Sequence, residues 1–350
     1  MLAAAGGGGF WLYNASQPPE TMPELDDEPI DQYVADLLAN PGYHNRAIYE
    51  QYLPLLGTDG LVKGVREAYP LCHDEAHDLG KVLYANTKNV ETAIIACGDV
   101  CEAGCMHGVM MEFFLPEEEV TDPENPYAAE RHADAEEIKA KLPTVCNAVV
   151  QTADYKIGDC IHGVGHAVMF LSDYDIDAAI GLCDVYDDEI SRYYCATGAY
   201  MEYLTNGPEP EDQLSFAPCD TAEYPAACFR YKFGHIVYYH YTAKKSLQVL
   251  VDRCEALDGN VELGCFHGIG NGHLQFAVRG ELTLSELCQF GSTGDQYVCI
   301  EGLMERFSRY YPDLAASQCD TVDGWKKDLC EAAILRGMYD LDKPFEYYQR

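Results

Sequence analysis

The stretches 105–114 (CMHGVMMEFF), 160–170 (CIHGVGHAVMF) and 265–276 (CFHGIGNGHLQF) are three versions of one phrase. Each opens on a cysteine, passes one apolar residue, and sets histidine beside glycine ahead of an apolar run. Two further copies, 195–204 (CATGAYMEYL) and 299–307 (CIEGLMERF), keep the cysteine and glycine but carry Thr197 and Glu301 where the others have histidine. Met169 and Phe170 follow Val164, and Met304 and Phe307 follow Ile300, at helical rather than alternating spacing, so each phrase is read as the start of a helix.

Outward from these phrases, Cys72, Cys105, Cys160, Cys195, Cys228, Cys265, Cys299 and Cys330 recur at spacings of 33, 55, 35, 33, 37, 34 and 31 residues. A period near 34 is that of two-helix repeats. The one long interval holds Pro116 to Pro143, an acidic stretch read as a surface insertion at 116–143. A second cysteine set, Cys97, Cys146, Cys183, Cys219, Cys254, Cys288 and Cys319, falls at the ends of second helices such as DIDAAIGLC and KSLQVLVDRC. Short loops separate each from the next opening cysteine. The economical pairing is Cys146–Cys160, Cys183–Cys195, Cys219–Cys228, Cys254–Cys265, Cys288–Cys299 and Cys319–Cys330. Cys72, Cys97, Cys101 and Cys105 remain; Cys97–Cys105 with Cys72–Cys101 is preferred, although spacing alone leaves other connectivities open.

The expected fold is therefore all-α: disulfide-stapled helical hairpins of about 34 residues, preceded by a helical region near Pro29 to Tyr69. Closure into an α/α toroid, with first helices inside and second helices outside, is preferred over an open α-solenoid. Polar residues and glycines gather at the starts of the first helices, whereas the second helices read as ordinary amphipathic covers. Residues 31–350 form a single domain in this reading. Residues 1–30 combine an apolar start (MLAAAGGGGFWLY) with a proline-rich acidic tether.

Charge and cysteine content narrow the setting. With 23 Lys and Arg against 58 Asp and Glu, a net charge of −35 excludes nucleic-acid binding through a basic surface and disfavours anionic membranes. Sixteen cysteines in an even spread read as eight disulfides, and hence as an extracytoplasmic protein, secreted or held at the cell surface through its N-terminal segment. The first basic residue is Arg46, so the charged opening of a secretory signal is missing from the start of the chain as given. Asn14-Ala15-Ser16 matches a glycosylation sequon.

The same helix positions offer a candidate site. Two places after the opening cysteine stand His107, His162, Thr197, Arg230, His267 and Glu301; about a turn deeper stand His77, Glu112, His166, Glu202, His235, His273 and Glu305. His162 and His166 share one helix face, as do His73 and His77, and Glu301 and Glu305. In a closed ring these side chains face one cavity. Two histidines at i and i+4 with a third from another element bind zinc, copper or iron through imidazole nitrogen. His107, His162, His166, His267 and His273 are the candidate metal ligands, and Glu112, Glu202, Glu301 and Glu305 the candidate ligands or general bases. The equally weighted structural alternative is that imidazole caps neighbouring backbone and glycine permits close helix packing. Walker-type, GxSxG and CxxCH phrases do not occur.

The CFHGIGNGH phrase and a ring of seven hairpins resemble, in architecture, the lanthionine-synthetase cyclases, α/α toroids with a central zinc. Those enzymes place cysteine directly before histidine as zinc ligands, whereas here Phe266 separates Cys265 from His267, so no activity is carried over. Two functions follow from the residues. One is an exported metalloprotein, read as an enzyme using a transition ion for hydrolysis or redox chemistry on a small anionic substrate. The other is a non-catalytic extracellular scaffold that binds protein partners or assembles.

Overall fold

A computed structural model describes residues 27–40, 45–69, 72–73, 75–98, 101, 103–114, 135–146, 156–207, 212, 214–242 and 246–336. The tether, apart from its last few residues, the sequon and most of the acidic insertion lie outside them. The described residues are all-helical, without strands. The chain opens with α1 (Asp27–Ala39) and α2 (Arg46–Ala68), which occupy the helical region expected at Pro29 to Tyr69. α2 bends at Gly57, whose φ of +63° favours glycine. Then follow α3 (Glu75–Thr87), α4 (Val90–Cys97), α5 (Gly104–Phe114), α6 (Ala135–Val145), α7 (Ile157–Leu171), α8 (Ile176–Cys183) and α9 (Glu189–Asn206). The second half holds α10 (Pro225–Thr242), α11 (Leu247–Cys254), α12 (Gly259–Gly272), α13 (Leu274–Val278), α14 (Leu284–Leu287), α15 (Thr293–Tyr310), α16 (Pro312–Cys319) and α17 (Trp325–Arg336).

Long and short helices alternate through much of the chain, and cysteines staple them. The bridges are Cys72–Cys101, Cys97–Cys105, Cys146–Cys160, Cys183–Cys195, Cys219–Cys228, Cys254–Cys265, Cys288–Cys299 and Cys319–Cys330. This is the pairing preferred from spacing. No cysteine is free. Each closure of a short loop contributes about 2–4 kcal/mol in the chain-entropy account. Eight such bonds point to an oxidising environment outside the cytoplasm. Among the described residues, no helix is long and apolar enough to cross a membrane.

Helices α4, α8, α11 and α16 end on their cysteines, as read from the sequence. Cys219 differs: it lies in a run of turns ahead of α10. The starts of the long helices also differ from the reading. α5 and α7 begin close to their cysteines, but α9, α12 and α15 begin at Glu189, Gly259 and Thr293, well upstream of Cys195, Cys265 and Cys299. Capping sets two of those starts. The Asp188 side chain accepts from the Ser191 N–H, and Ser292 forms a capping box with Asp295. The polar positions of α9, α12 and α15 therefore sit inside their helices rather than at exposed amide ends.

The long helices lie against one another in chain order: α3 on α5, α5 on α7, α7 on α9, α9 on α10, α10 on α12, α12 on α15 and α15 on α17. Glycines permit the close approach. A Cβ on Gly108 would collide with the His77 carbonyl, one on Gly80 with the Cys105 carbonyl, one on Gly198 with the His162 carbonyl and one on Gly165 with the Cys195 carbonyl. The glycine of the Cys-x-His-Gly phrase is thus a packing residue. α7 is buried continuously from Gly158 to Met169, so Val164, Val168 and Met169 gain about 1.5–3 kcal/mol each from leaving water. Its polar residues, Asp159, His162 and His166, are enclosed with them. Arg309 of α15 reaches Asp159 at 3.0 Å and ties the second half of the chain to the first.

Candidate metal centre

Five histidines converge where α3, α5 and α7 pack. His73 precedes α3 and His77 lies in its first turn; His107 comes from α5; His162 and His166 lie a turn apart on α7. The ring of His107 stands 4.8 Å from that of His162 and 4.8 Å from that of His166, centroid to centroid. The rings of His73 and His77 lie 5.0 and 5.8 Å from it. His77 and His166 approach to 5.7 Å, which closes the group. Two overlapping triads result, His73/His77/His107 and His107/His162/His166, each with candidate ligand atoms within 4.8 Å of one another. Either triad has the donors to hold a metal ion.

Neighbouring groups fix how the rings point. Thr197 donates its hydroxyl to the Tyr194 carbonyl at 2.6 Å, so its oxygen accepts from Nδ1–H of His162 at 2.8 Å. Nδ1–H of His166 donates to Glu202 at 2.9 Å, and Nδ1–H of His73 to the Cys101 carbonyl at 3.2 Å. With Nδ1 protonated, His162 carries its lone pair at Nε2, which faces the His166 Nε2 at hydrogen-bond distance, 3.3 Å. Carboxylate–histidine pairs of the His166–Glu202 kind orient metal ligands and raise their basicity. His107 makes no hydrogen bond at either ring nitrogen although it is 2% exposed. Gly163 leaves room for it, since a Cβ there would come within 3.2 Å of His107 Cδ2.

Electrostatics disfavour charge on three of these histidines. Burial, then the neighbouring histidines, pushes His107 well below the ordinary histidine pKa. Burial, then His166 and Arg230, does the same to His162, and burial with His73, His166 and Lys81 to His77. Burial works against a charge on Glu202, yet the His166 contact and hydrogen bonds from Tyr174 and Asn206 leave its pKa lowered. Neutral imidazoles are the ligand form, so protons compete weakly here.

The other candidate residues fall elsewhere. His267 lies on α12 with Nε2 3.4 Å from Glu305, which also takes Arg230 at 2.7 Å and the Asn271 amide at 2.8 Å. Burial disfavours the Glu305 carboxylate, but Arg230 and His267 hold its pKa down to about 2. Nδ1–H of His273 donates to the Ile269 carbonyl at 2.7 Å. Glu301 pairs with Arg336, and Glu112 with Arg46 at 3.3 Å. His235 is exposed on α10. The structure thus joins His107, His162 and His166, places His267 in a second polar group with Glu305 and Arg230, and turns His273 to the Ile269 carbonyl. None of the four carboxylates is a member of either histidine triad; Glu202 orients a ligand instead. His73 and His77 join the site without having been named as ligands. Their i, i+4 spacing was the available signal, but His73 follows Cys72 directly, one place earlier than the histidine of the other phrases.

No family model, curated protein or solved structure matches the chain.

Proposed function

We propose that this is an extracytoplasmic metalloenzyme that uses a transition ion, copper or iron before zinc, on the α3/α5/α7 histidines for redox chemistry on a small anionic substrate. The observation that carries this reading is the 3.3 Å approach of the His162 and His166 Nε2 atoms inside a closed group of five histidines. The two atoms stand at hydrogen-bond distance, and a metal ion that displaced the shared proton would find both imidazole nitrogens already facing it. Imidazole donors suit copper, iron and zinc alike. Redox is favoured over hydrolysis because Glu202, the carboxylate nearest the ligands, is committed to His166, Tyr174 and Asn206 and is poorly placed as a general base.

In the same reading the hairpins are true repeats, the array closes as an α/α toroid, and the N-terminal segment tethers the protein at the cell surface. The Arg309–Asp159 pair between α15 and α7 supports closure, since those helices are far apart in chain order. A second reading, a non-catalytic scaffold for protein partners, is favoured by the glycine contacts, which explain half of the Cys-x-His-Gly phrase by packing alone.

Metal analysis by mass spectrometry on untagged protein from an oxidising host, with thiols counted on the same sample, separates the two. Near-zero thiols with stoichiometric metal is the expected result. Near-zero thiols and no metal after incubation with copper, iron and zinc salts overturns the metalloenzyme and leaves the scaffold.

A further inference from the structure

We propose that His107 bridges two metal ions, one nitrogen of its ring serving an ion held by His73 and His77 and the other serving an ion held by His162 and His166. This rests on the metal-binding reading and adds to it a count, a connectivity and a role for one residue. His107 is the member common to both triads. Its ring lies 5.0 and 5.8 Å from those of His73 and His77 and 4.8 Å from each of those of His162 and His166. The two nitrogens of an imidazole point away from each other, so one ring cannot direct both at a single ion.

The other histidines show why His107 is different. His73, His162 and His166 each spend Nδ1 on a protein acceptor, the Cys101 carbonyl, Thr197 and Glu202 respectively, and so each has Nε2 to offer. His107 spends neither nitrogen, and leaving buried polar atoms unsatisfied costs about 1–3 kcal/mol each. A structural histidine would use at least one. A terminal ligand would use the second on an orienting partner, as the metal-ligating histidines of known sites almost always do. Only a bridging ring uses both on metal.

Charge balance points the same way. The triads contain no carboxylate, so two divalent ions on neutral imidazoles would place uncompensated charge in a buried site. A bridging ring carries one negative charge: binding the second ion displaces the remaining ring proton of His107, which leaves to solvent. Copper, iron and zinc all take imidazole nitrogen, and copper is the one whose spin reports a bridge.

The test is titration of the chelator-treated, disulfide-intact full chain with copper(II) sulfate, followed by equilibrium stoichiometry and low-temperature electron paramagnetic resonance. The bridge predicts two ions per chain, with most of the spin signal present at one equivalent lost at two, because the ring couples the spins. In His107→Ala that loss disappears. Should His107→Ala fail to fold, the double variant His73→Ala with His77→Ala gives the same decision: it retains one copper on His107, His162 and His166 with a full uncoupled signal. Two independent spins in the wild-type protein, or a single copper per chain, overturns the bridge while leaving the metalloprotein reading intact. No copper, iron or zinc bound overturns both.

Discussion

This molecule encloses two polar groups, and they solve the same problem in opposite ways. On α3, α5 and α7 the group is five histidines, three of them held neutral by burial, with two Nε2 atoms 3.3 Å apart. On α10, α12 and α15 the group is Arg230, Glu305, His267 and Asn271, in which the guanidinium stands 2.7 Å from a carboxylate held down to about 2. Both are built from the same position of the same phrase. His107, His162, Arg230 and His267 all stand two residues after their opening cysteines. Where that position supplies arginine, the cation is covalently part of the chain and its counter-charge is in place. Where it supplies only histidine, donors remain that could hold a cation from outside. A Cys-x-His-Gly phrase therefore does not by itself mean a ligand, since His267 serves an ion pair; its neighbours decide.

That contrast predicts unequal responses to mutation. Glu305→Ala leaves Arg230 buried without its carboxylate and should cost about 3–5 kcal/mol in denaturant unfolding; a loss below about 1 kcal/mol would mean that water or another group compensates, and the comparison would break. His162→Ala with His166→Ala should leave the disulfide-stapled fold in place by circular dichroism. That variant should lose the metal-dependent gain in stability, about 2.7 kcal/mol for wild type at an ion concentration a hundredfold above Kd. Glu202→Gln keeps every ligand but weakens the orientation of His166, so metal affinity should fall about 10–100-fold with little change in apo stability; equal affinities would show that Glu202 serves only the fold.

The smallest effect separates the two groups by pH. His77, His107 and His162 have pKa values below the ordinary histidine value, so the unfolded chain takes up protons that the folded chain refuses. Their contribution is present above the ordinary histidine pKa and is lost as pH falls through it, by about 1 kcal/mol in all between pH ~7.5 and ~6.5 for the metal-free protein. Glu305 behaves likewise on a lower scale. Its contribution is present above the ordinary glutamate value of 4.5 and disappears only as pH falls towards its folded pKa of about 2. Stability curves of metal-free wild type and of the His162→Ala/His166→Ala variant should diverge near pH ~6.5; parallel curves would place the acid sensitivity elsewhere.

Much of this was legible in the chain itself. Cysteine spacing gave six of the eight disulfides, because each joins the end of one segment to the start of the next, while among Cys72, Cys97, Cys101 and Cys105 it favoured the pairing found without fixing it. Periodicity gave the helices, but it placed several starts too late. Asp188 and Ser292, not the cysteines, begin α9 and α15, and capping residues upstream of a conspicuous phrase are easily passed over. Of the candidate ligands, His107, His162 and His166 meet, while His267 and His273 do not join them. What separates them is the side chain that each neighbouring helix contributes, which no spacing within one helix reveals. The carboxylates were read as ligands or bases because their partners are remote in sequence: Arg46 for Glu112, Arg336 for Glu301 and Arg230 for Glu305. In a chain with 23 basic residues against 58 acidic ones, an arginine inside an apolar phrase was itself the signal, and Arg230 in CFRYKFGH is such a residue.

The bridges are all short-range, the widest joining residues 29 apart and the rest no more than 14. A chain delivered amino end first into an oxidising compartment can therefore complete each bond as soon as the next thirty or so residues have emerged. From Cys146 onward each cysteine pairs with the next one to emerge, and only Cys72–Cys101 and Cys97–Cys105 interlace. Oxidation can proceed vectorially, in step with delivery. A protein of sixteen cysteines would then make little demand on an isomerase, which is an unusual economy for so heavily crosslinked a chain.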